Sequence, residues 1–235
     1  VIKGRDSRIF DDDLLSIIAY ETGRFKEAAD YYIRTGNRRA ALFTCLELLK
    51  QEQPREMVIY KKAAYLERID SMIAIYGDLV EAGELAIERY RYMDEYTTAT
   101  NEVKWQYINQ ALDRWGSWQR MNYLRNRQRS LTSLQFHAAI GKEVNIPNRA
   151  QTVELDGLRG ITSLTMRVYR ASVNGWTDID PSSAEDYKKL KPLLTPLPEL
   201  TQTHQYVGKK PYEQFNDSMQ LAALPVGVYL IEYET

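Results

Sequence analysis

The sequence predicts α-helices followed by a β-sandwich, with the change of architecture near Ser130. Three observations carry this expectation. Pro54 is the only proline among residues 1–130, whereas the other seven of the eight follow from Pro147 onward. Proline breaks helix interiors and sheet ladders alike, so the asymmetry marks a boundary. Apolar residues recur at helical spacing before Ser130 and alternate with polar ones after it. Finally, 235 residues leave room for two domains of the ordinary size of about 100–150 residues. We therefore expect a helical domain over residues 1–130 and a β-sandwich domain over 131–235.

Asp11, Asp12 and Asp13 supply an N-cap and first-turn carboxylates, which suit the positive end of a helix dipole. Leu14, Leu15, Ile17, Ile18 and Ala19 follow as a first apolar stripe, which Gly23 ends. Phe25, Ala28, Ala29, Tyr32 and Ile33 form a second, closed by Gly36-Asn37. Ala40, Ala41, Leu42, Cys45, Leu46, Leu48 and Leu49 form a third. Pro54 suits the first turn of a long fourth helix, which runs through Tyr65, Leu66, Ile69, Met72, Ile73 and Tyr76. Residues 79–93 and 101–115 predict two more, and Met121 to Arg129 a last short one. The link Gly23-x-Phe25-x-x-Ala28 is echoed at Gly77-x-Leu79-x-x-Ala82. In both, a glycine ends one helix and an alanine lets the next pack closely. Such pairs resemble tetratricopeptide hairpins, although the copies are not spaced as a regular tandem repeat. The pattern predicts an irregular TPR-like helical-hairpin array; an ordinary helical bundle is the alternative.

Beyond Ser130, residues 151–155 alternate, as do residues 163–170, which puts Leu164, Met166 and Val168 on one face. A first strand is placed around residues 134–136. Asn174-Gly175 is a turn signal. Residues 184–190 predict one or two helical turns within a Lys- and Pro-rich excursion. Thr201 to Val207 predicts another strand, and Gly227 to Tyr233, preceded by Leu224-Pro225, predicts the last. Several short strands in about 100 residues suit a sandwich.

Hydrophobic residues at 44% and charged residues at 27% suit a folded chain rather than a disordered one. Basic residues number 31 and acidic residues 32, for a net charge of -1, which argues against a general nucleic-acid binder with its basic excess. No apolar run is long enough to span a bilayer. One cysteine excludes an internal disulfide framework, and two histidines exclude most His-rich metal sites. The chain opens on Val1 with no basic-then-apolar leader, which reads as a segment of a longer protein.

Motifs that carry chemistry are scarce. Gly208-Lys209-Lys210 lacks the first glycine and the Ser/Thr of a phosphate loop, and there is no Gly-x-Ser-x-Gly elbow. His137 and His204 read as strand residues rather than ligands. Asn216-Asp217-Ser218 matches a glycosylation sequon, a triplet common by chance. Arg114, Arg120, Arg125, Arg127 and Arg129 are interleaved with Trp115, Trp118 and Tyr123, a combination able to track a phosphate backbone. In a neutral chain we read these aromatics as packing at the domain junction, with the arginines solvated or paired with helical acids. Cys45 lacks the glutamine three residues on that an internal thioester needs, since Leu48 stands there. On an apolar stripe it reads as a buried core thiol. No catalytic, cofactor-binding or metal-binding residue is assigned, no cofactor is expected, and the binding residues stay open.

Asp12 to Leu15, then Phe25 to Tyr32, then Gly36 to Leu42 resemble the N-terminal helical region of large bacterial, Bacteroidetes-type α2-macroglobulin-like proteins. Tyr123 to Asn126 precedes the first strand in the same order. Ile161 to Arg170, with its ending Arg167-Val168-Tyr169-Arg170, is similar to an early strand of that family's macroglobulin domains. Leu224 to Leu230 is similar to the Pro-x-Gly-x-Tyr strand that closes many of them. The resemblance covers most of the chain in pieces, and their order is its strongest feature. It implies a macroglobulin-like, fibronectin-III-like sandwich over residues 131–235. It also implies a parent that acts as a protease trap, an endopeptidase inhibitor of the periplasm or cell envelope, often lipid-anchored. In such traps sandwiches form a cage, a bait segment is cut, and the cage closes; many members add a thioester. Neither Cys-x-Glu-Gln nor a recognisable bait occurs here, so this piece is expected to be scaffold, and no functional residue of the family carries over.

The leading expectation is therefore a non-enzymatic structural and interaction module of such an inhibitor. Proteases would be engaged through the full-length parent, with other envelope proteins as further partners. Nucleic acid is not expected, and membrane contact only through a lipid anchor outside these residues. The alternative is a helical-repeat protein- or peptide-binding scaffold of the cell envelope unrelated to proteases. There Tyr20, Tyr31, Tyr32, Tyr60, Tyr65, Tyr76, Tyr90 and Tyr92 would line a concave face. An enzyme is the third class.

Overall fold

A computed structural model describes residues 12–52, 59–140, 147–173, 180 and 182–235. Asp11, Pro54 and Asn174-Gly175, with their expected cap and turn roles, lie outside these residues, as does the Tyr60 side chain. The chain divides into two compact units, Val1–Gln128 and Arg129–Thr235.

In the first unit the described helices are α1 (Asp12–Glu21), α2 (Phe25–Arg34), α3 (Arg38–Gln51), α4 (Ile59–Tyr76), α5 (Gly83–Tyr96), α6 (Asn101–Trp115) and the start of α7 (Asn122–Thr132). Single 3-10 turns, Val80–Ala82 and Gln119–Met121, lead into α5 and α7. Helices adjacent in sequence pack on each other: α1 on α2, α2 on α3, α4 on α5 and α5 on α6. Local chemistry sets several ends. Asn37 and Thr100 stand just before α3 and α6 and accept from the amides of Ala40 (3.2 Å) and Val103 (3.3 Å). They thereby satisfy donors that a helix start leaves bare.

Two kinds of link join the helices, and they correct the expected echo of Gly23 at Gly77. Gly23 and Gly36 end α1 and α2 at φ values of 75° and 73°, a left-handed conformation that L side chains resist. Neither Gly77 nor Gly116 is left-handed. There the chain folds tightly over the preceding turn, and a Cβ would run into the carbonyl oxygen four residues back, of Ile73 or Leu112. An extended residue follows each, Leu79 or Trp118, and then the 3-10 turn. The counterpart of Gly77 is thus Gly116. The motif misses it because Trp118 and Met121 stand where Leu79 and Ala82 do.

Burial is deepest around the start of α5, where residues 81–88 are all buried. Ala28 and Ala82 are fully buried, which fits their close-packing role. Ile17 and Ile33, placed on apolar stripes by their spacing, are instead 52% and 57% exposed. Tyr65, Tyr76, Tyr90 and Tyr92 are buried between helices rather than lining an open face, with the Tyr65 and Tyr92 ring centroids 4.3 Å apart.

The second unit holds β1 (Gln135–Ile140), β2 (Gln151–Arg159), β3 (Ser163–Ala171), α8 (Ala184–Leu190), β4 (Leu200–Gln205), β5 (Phe215–Leu221) and β6 (Val228–Glu234). The strands form two antiparallel three-stranded sheets, ordered β1-β2-β5 and β4-β3-β6. Alternation along β2 and β3 turns Val153, Leu155, Leu164, Met166 and Val168 inward, where they meet Met219 and Leu221 of β5 in one cluster. Phe136 of β1, Leu200 of β4 and Ile231 of β6 pack on it, so both sheets share one core.

Strand β5 lies where the sequence predicts none. Its inward positions are Phe215, Asp217, Met219 and Leu221, and a charge at the second breaks the apolar alternation. The sequon triplet falls inside this strand, and the Asn216 side chain accepts the Gly157 amide at 2.9 Å. Gly157 (φ 64°) sits where the β2–β5 register shifts, a bulge that the asparagine closes. Strand β4 stops at Gln205, short of the predicted Val207, which is 91% exposed.

Candidate binding cleft in the helical unit

Along α5, Glu84, Ile87, Glu88, Arg91, Asp94 and Glu95 recur at three- and four-residue steps and so lie along one side of the helix. Lys50 from the end of α3, Arg120 from the second 3-10 turn, and Tyr123 and Arg127 from α7 meet that side around a cleft of about 600 Å³.

Its floor is acidic, and its more exposed part mixes Arg91, Arg120 and Arg127 with Asp94 and Glu95. Glu84 and Glu88 are 5% and 6% exposed, and Glu81, just outside, is 3% exposed. A buried carboxylate is costly unless it is hydrogen-bonded and paired, and each of these is. Glu84 accepts from the Trp118 indole N–H (2.7 Å) and the Arg120 guanidinium (2.9 Å). Glu88 accepts from the Tyr65 hydroxyl (3.1 Å) and, more loosely, from Arg91 (3.4 Å). Burial, then the Glu88 charge, raises the Tyr65 pKa, so this hydroxyl stays a donor. Glu81 pairs with Arg39. The arginines of these pairs lie mostly in solvent.

Higher in the cleft, Asp94 pairs with Lys104 (2.7 Å), Lys50 pairs with Glu47 (2.9 Å), and the Tyr96 hydroxyl bonds Glu95. Arg127 is different. Its guanidinium lies over the Tyr123 ring, 5.3 Å from the centroid, and a bond to that residue's hydroxyl raises its pKa. Among the described residues no carboxylate lies within ion-pair distance of it. Tyr90, packed edge-on to Tyr123, is pushed up to about 12 by its own burial and then by the Asp94 charge.

The Arg- and aromatic-rich segment supplies one wall of this cleft, and its two indoles bond within the helical unit. The Trp115 indole donates to the Gly77 carbonyl (3.0 Å), and the Trp118 indole reaches Glu84. Arg114 lies 4.6 Å from the Trp115 ring centroid, and Arg125 donates to the Gly116 carbonyl (2.7 Å). Sequence reasoning missed Glu81, Glu84 and Glu88. The available signal was their spacing, which puts acids among Ala82, Leu85 and Ala86 in a segment otherwise apolar enough to be buried. Cys45 is half-buried rather than enclosed, and burial, opposed by a bond with Tyr76, pushes its thiol up and keeps it neutral.

In the second unit, His137 and His204 are strand residues. His204 of β4 places Nδ1 2.6 Å from Asp217 Oδ2 of β5, and the Tyr206 hydroxyl donates to the same oxygen at 2.8 Å. The other Asp217 oxygen accepts the Ser218 amide at 2.8 Å. A His–Asp pair can serve a nucleophile, yet among the described residues no Ser, Thr or Cys side chain bonds this imidazole. Since β4 and β5 belong to different sheets, the cluster is a clip between layers.

Burial pushes Asp217 upward, but the bonds from His204, Tyr206 and Ser218 outweigh it and hold the carboxyl below the ordinary 3.8. A carboxyl depressed by folding stabilises above its unfolded pKa, and that contribution is lost as pH falls through the folded one. Stability of this unit is therefore expected to drop as pH falls below 3.8. Asp217→Asn should lower stability at neutral pH and make the acid limb shallower; urea unfolding across the acid range checks both.

Among the described residues, no group of three or more His, Cys, Asp or Glu could hold a metal ion, and no helix is long and apolar enough to cross a membrane. No family model, curated protein or solved structure matches the chain.

Proposed function

We propose that the chain is a non-enzymatic structural and interaction module, an irregular TPR-like helical-hairpin array carrying a macroglobulin-like, fibronectin-III-like β-sandwich. It serves as scaffold in a bacterial α2-macroglobulin-like endopeptidase inhibitor of the periplasm or cell envelope. The strand order supports this most: the first, second and fifth strands form one sheet, and the third, fourth and sixth form the other, around one core. Alternation of this kind between layers suits an immunoglobulin- or fibronectin-type sandwich. It follows a helical unit, in the order of the segments that resemble the family. Proteases are engaged through the parent protein, and any membrane attachment lies outside these residues.

A protease assay with two substrates tests the proposal. The full-length parent should slow a protease on a protein-sized substrate and leave a small chromogenic substrate untouched, as a cage does. Residues 1–235 alone should slow neither. Slowing of both substrates by the parent, or hydrolysis by the chain itself that one substitution abolishes, refutes it. The cleft favours a second reading for the helical unit, a protein- or peptide-binding scaffold unrelated to proteases. Charged side chains, rather than the expected tyrosines, would then face the ligand.

A further inference from the structure

We infer that the cleft along α5 binds an acidic segment of a partner protein, with an Asp or Glu side chain of that segment seated on Arg127. This rests on reading the helical unit as an interaction surface and adds the chemistry of what it takes.

The formal charges lining the cleft balance: Lys50, Arg91, Arg120 and Arg127 against Glu84, Glu88, Asp94 and Glu95. They differ in how far each is satisfied. All four carboxylates already accept bonds from Trp118, Arg120, Tyr65, Arg91, Lys104 or Tyr96. Lys50, Arg91 and Arg120 are each tied to a carboxylate of the chain. Arg127 is exposed, bonds Tyr123 and feels the Asp94 charge, yet among the described residues it forms no ion pair. The unspent bonding capacity of the cleft is therefore cationic, because a guanidinium carries five N–H donors and Tyr123 uses few of them. Held against an aromatic ring, its planar fork is oriented for two parallel bonds to one carboxylate. Arg91, whose own pair is loose at 3.4 Å, adds a second positive group on the same cleft.

The same lining argues against a polyanion. A phosphate backbone would run successive charges past Asp94 and Glu95, whereas an isolated carboxylate can meet Arg127 alone. Tyr123 and Ile87 supply the apolar surface that the stem of an Asp or Glu side chain needs.

Fluorescence polarisation on residues 1–235 tests this, with labelled, C-terminally amidated peptides that carry a single Glu among Ala and Ser, and with Gln replacing that Glu in the control. The Glu peptide should bind about tenfold tighter than the Gln peptide, the worth of one charge-assisted pair, and lose that margin in high salt. Arg127→Gln should erase the preference, Arg127→Lys should keep part of it, and Arg34→Gln on α2, away from the cleft, should leave it unchanged. Circular dichroism of the Arg127 variants checks that they stay folded. Equal binding of both peptides, or binding of neither, overturns the acidic assignment while the parent's two-substrate protease test still stands. A single-stranded oligonucleotide that binds more tightly than the Glu peptide and depends on Arg127 overturns it as well.

Discussion

Replacing Leu155 by alanine is expected to lower the stability of the second unit by about 2–5 kcal/mol. Leu155 is fully buried on β2, the middle strand of its sheet, and belongs to the cluster that both sheets share. It stands opposite Ala138 of β1 on one side and Asp217 of β5 on the other. Two backbone ladders therefore hold its position, and the strands cannot simply close over the lost methyl groups. The cost is the transfer energy of the deleted carbons plus a cavity that the close-packed interior fills poorly. Against a total stability of about 5–15 kcal/mol this is a large share. Urea unfolding followed by circular dichroism reads it, with Val228→Ala as the comparison. Val228 is 47% exposed at the start of an edge strand, and its truncation should cost within about 0.5 kcal/mol. Equal midpoint shifts for the two variants would contradict a core shared between the sheets.

The same physics decides which parts of the fold the sequence displays. Helix α6 is legible from end to end because Thr100 caps its start and Gly116 follows its last residue. Strands β3 and β6 are legible because their inward positions are apolar throughout: Leu164, Met166 and Val168 in one, Tyr229, Ile231 and Tyr233 in the other. Strand β5 is hidden by Asp217, an inward carboxyl made tolerable by partners from β4, the residue just after it and its own backbone. Periodicity sees only neighbours along the chain, so it reads that position as polar surface. The cleft is half legible for the same reason. The basic and aromatic side from Arg114 to Arg129 stands out as a cluster in the sequence. The acidic side does not, since glutamates at three- and four-residue steps on a helix are ordinarily solvated. Only packing that brings Tyr65 from α4 and Trp118 and Arg120 from beyond α6 makes Glu84 and Glu88 buried groups.

Glu84→Ala should cost the first unit about 1–3 kcal/mol, and geometry explains why the loss stays below the level usual for a buried ion pair. Removing one member of such a pair commonly costs about 3–5 kcal/mol, because the other charge is stranded away from water. Here the other charge is Arg120, whose side chain is 67% exposed and simply hydrates. The stranded group is the Trp118 indole N–H, which donates to Glu84 at 2.7 Å. Gly83 makes room for that indole: a Cβ there would lie 2.9 Å from Trp118 Cδ1. Glu84→Gln keeps an acceptor and loses only the charge, so it should cost less than the alanine variant. Arg120→Ala should cost least, within the range of about 0–1 kcal/mol of a solvent-exposed partner. Trp118→Phe removes the donor, and combined with Glu84→Ala it should cost less than the sum of the two single changes. Urea midpoints for the five variants give the ranking and the coupling. Strictly additive losses would mean that Glu84 and Trp118 do not bond, and the floor on which the cleft's charge balance depends would have to be redrawn.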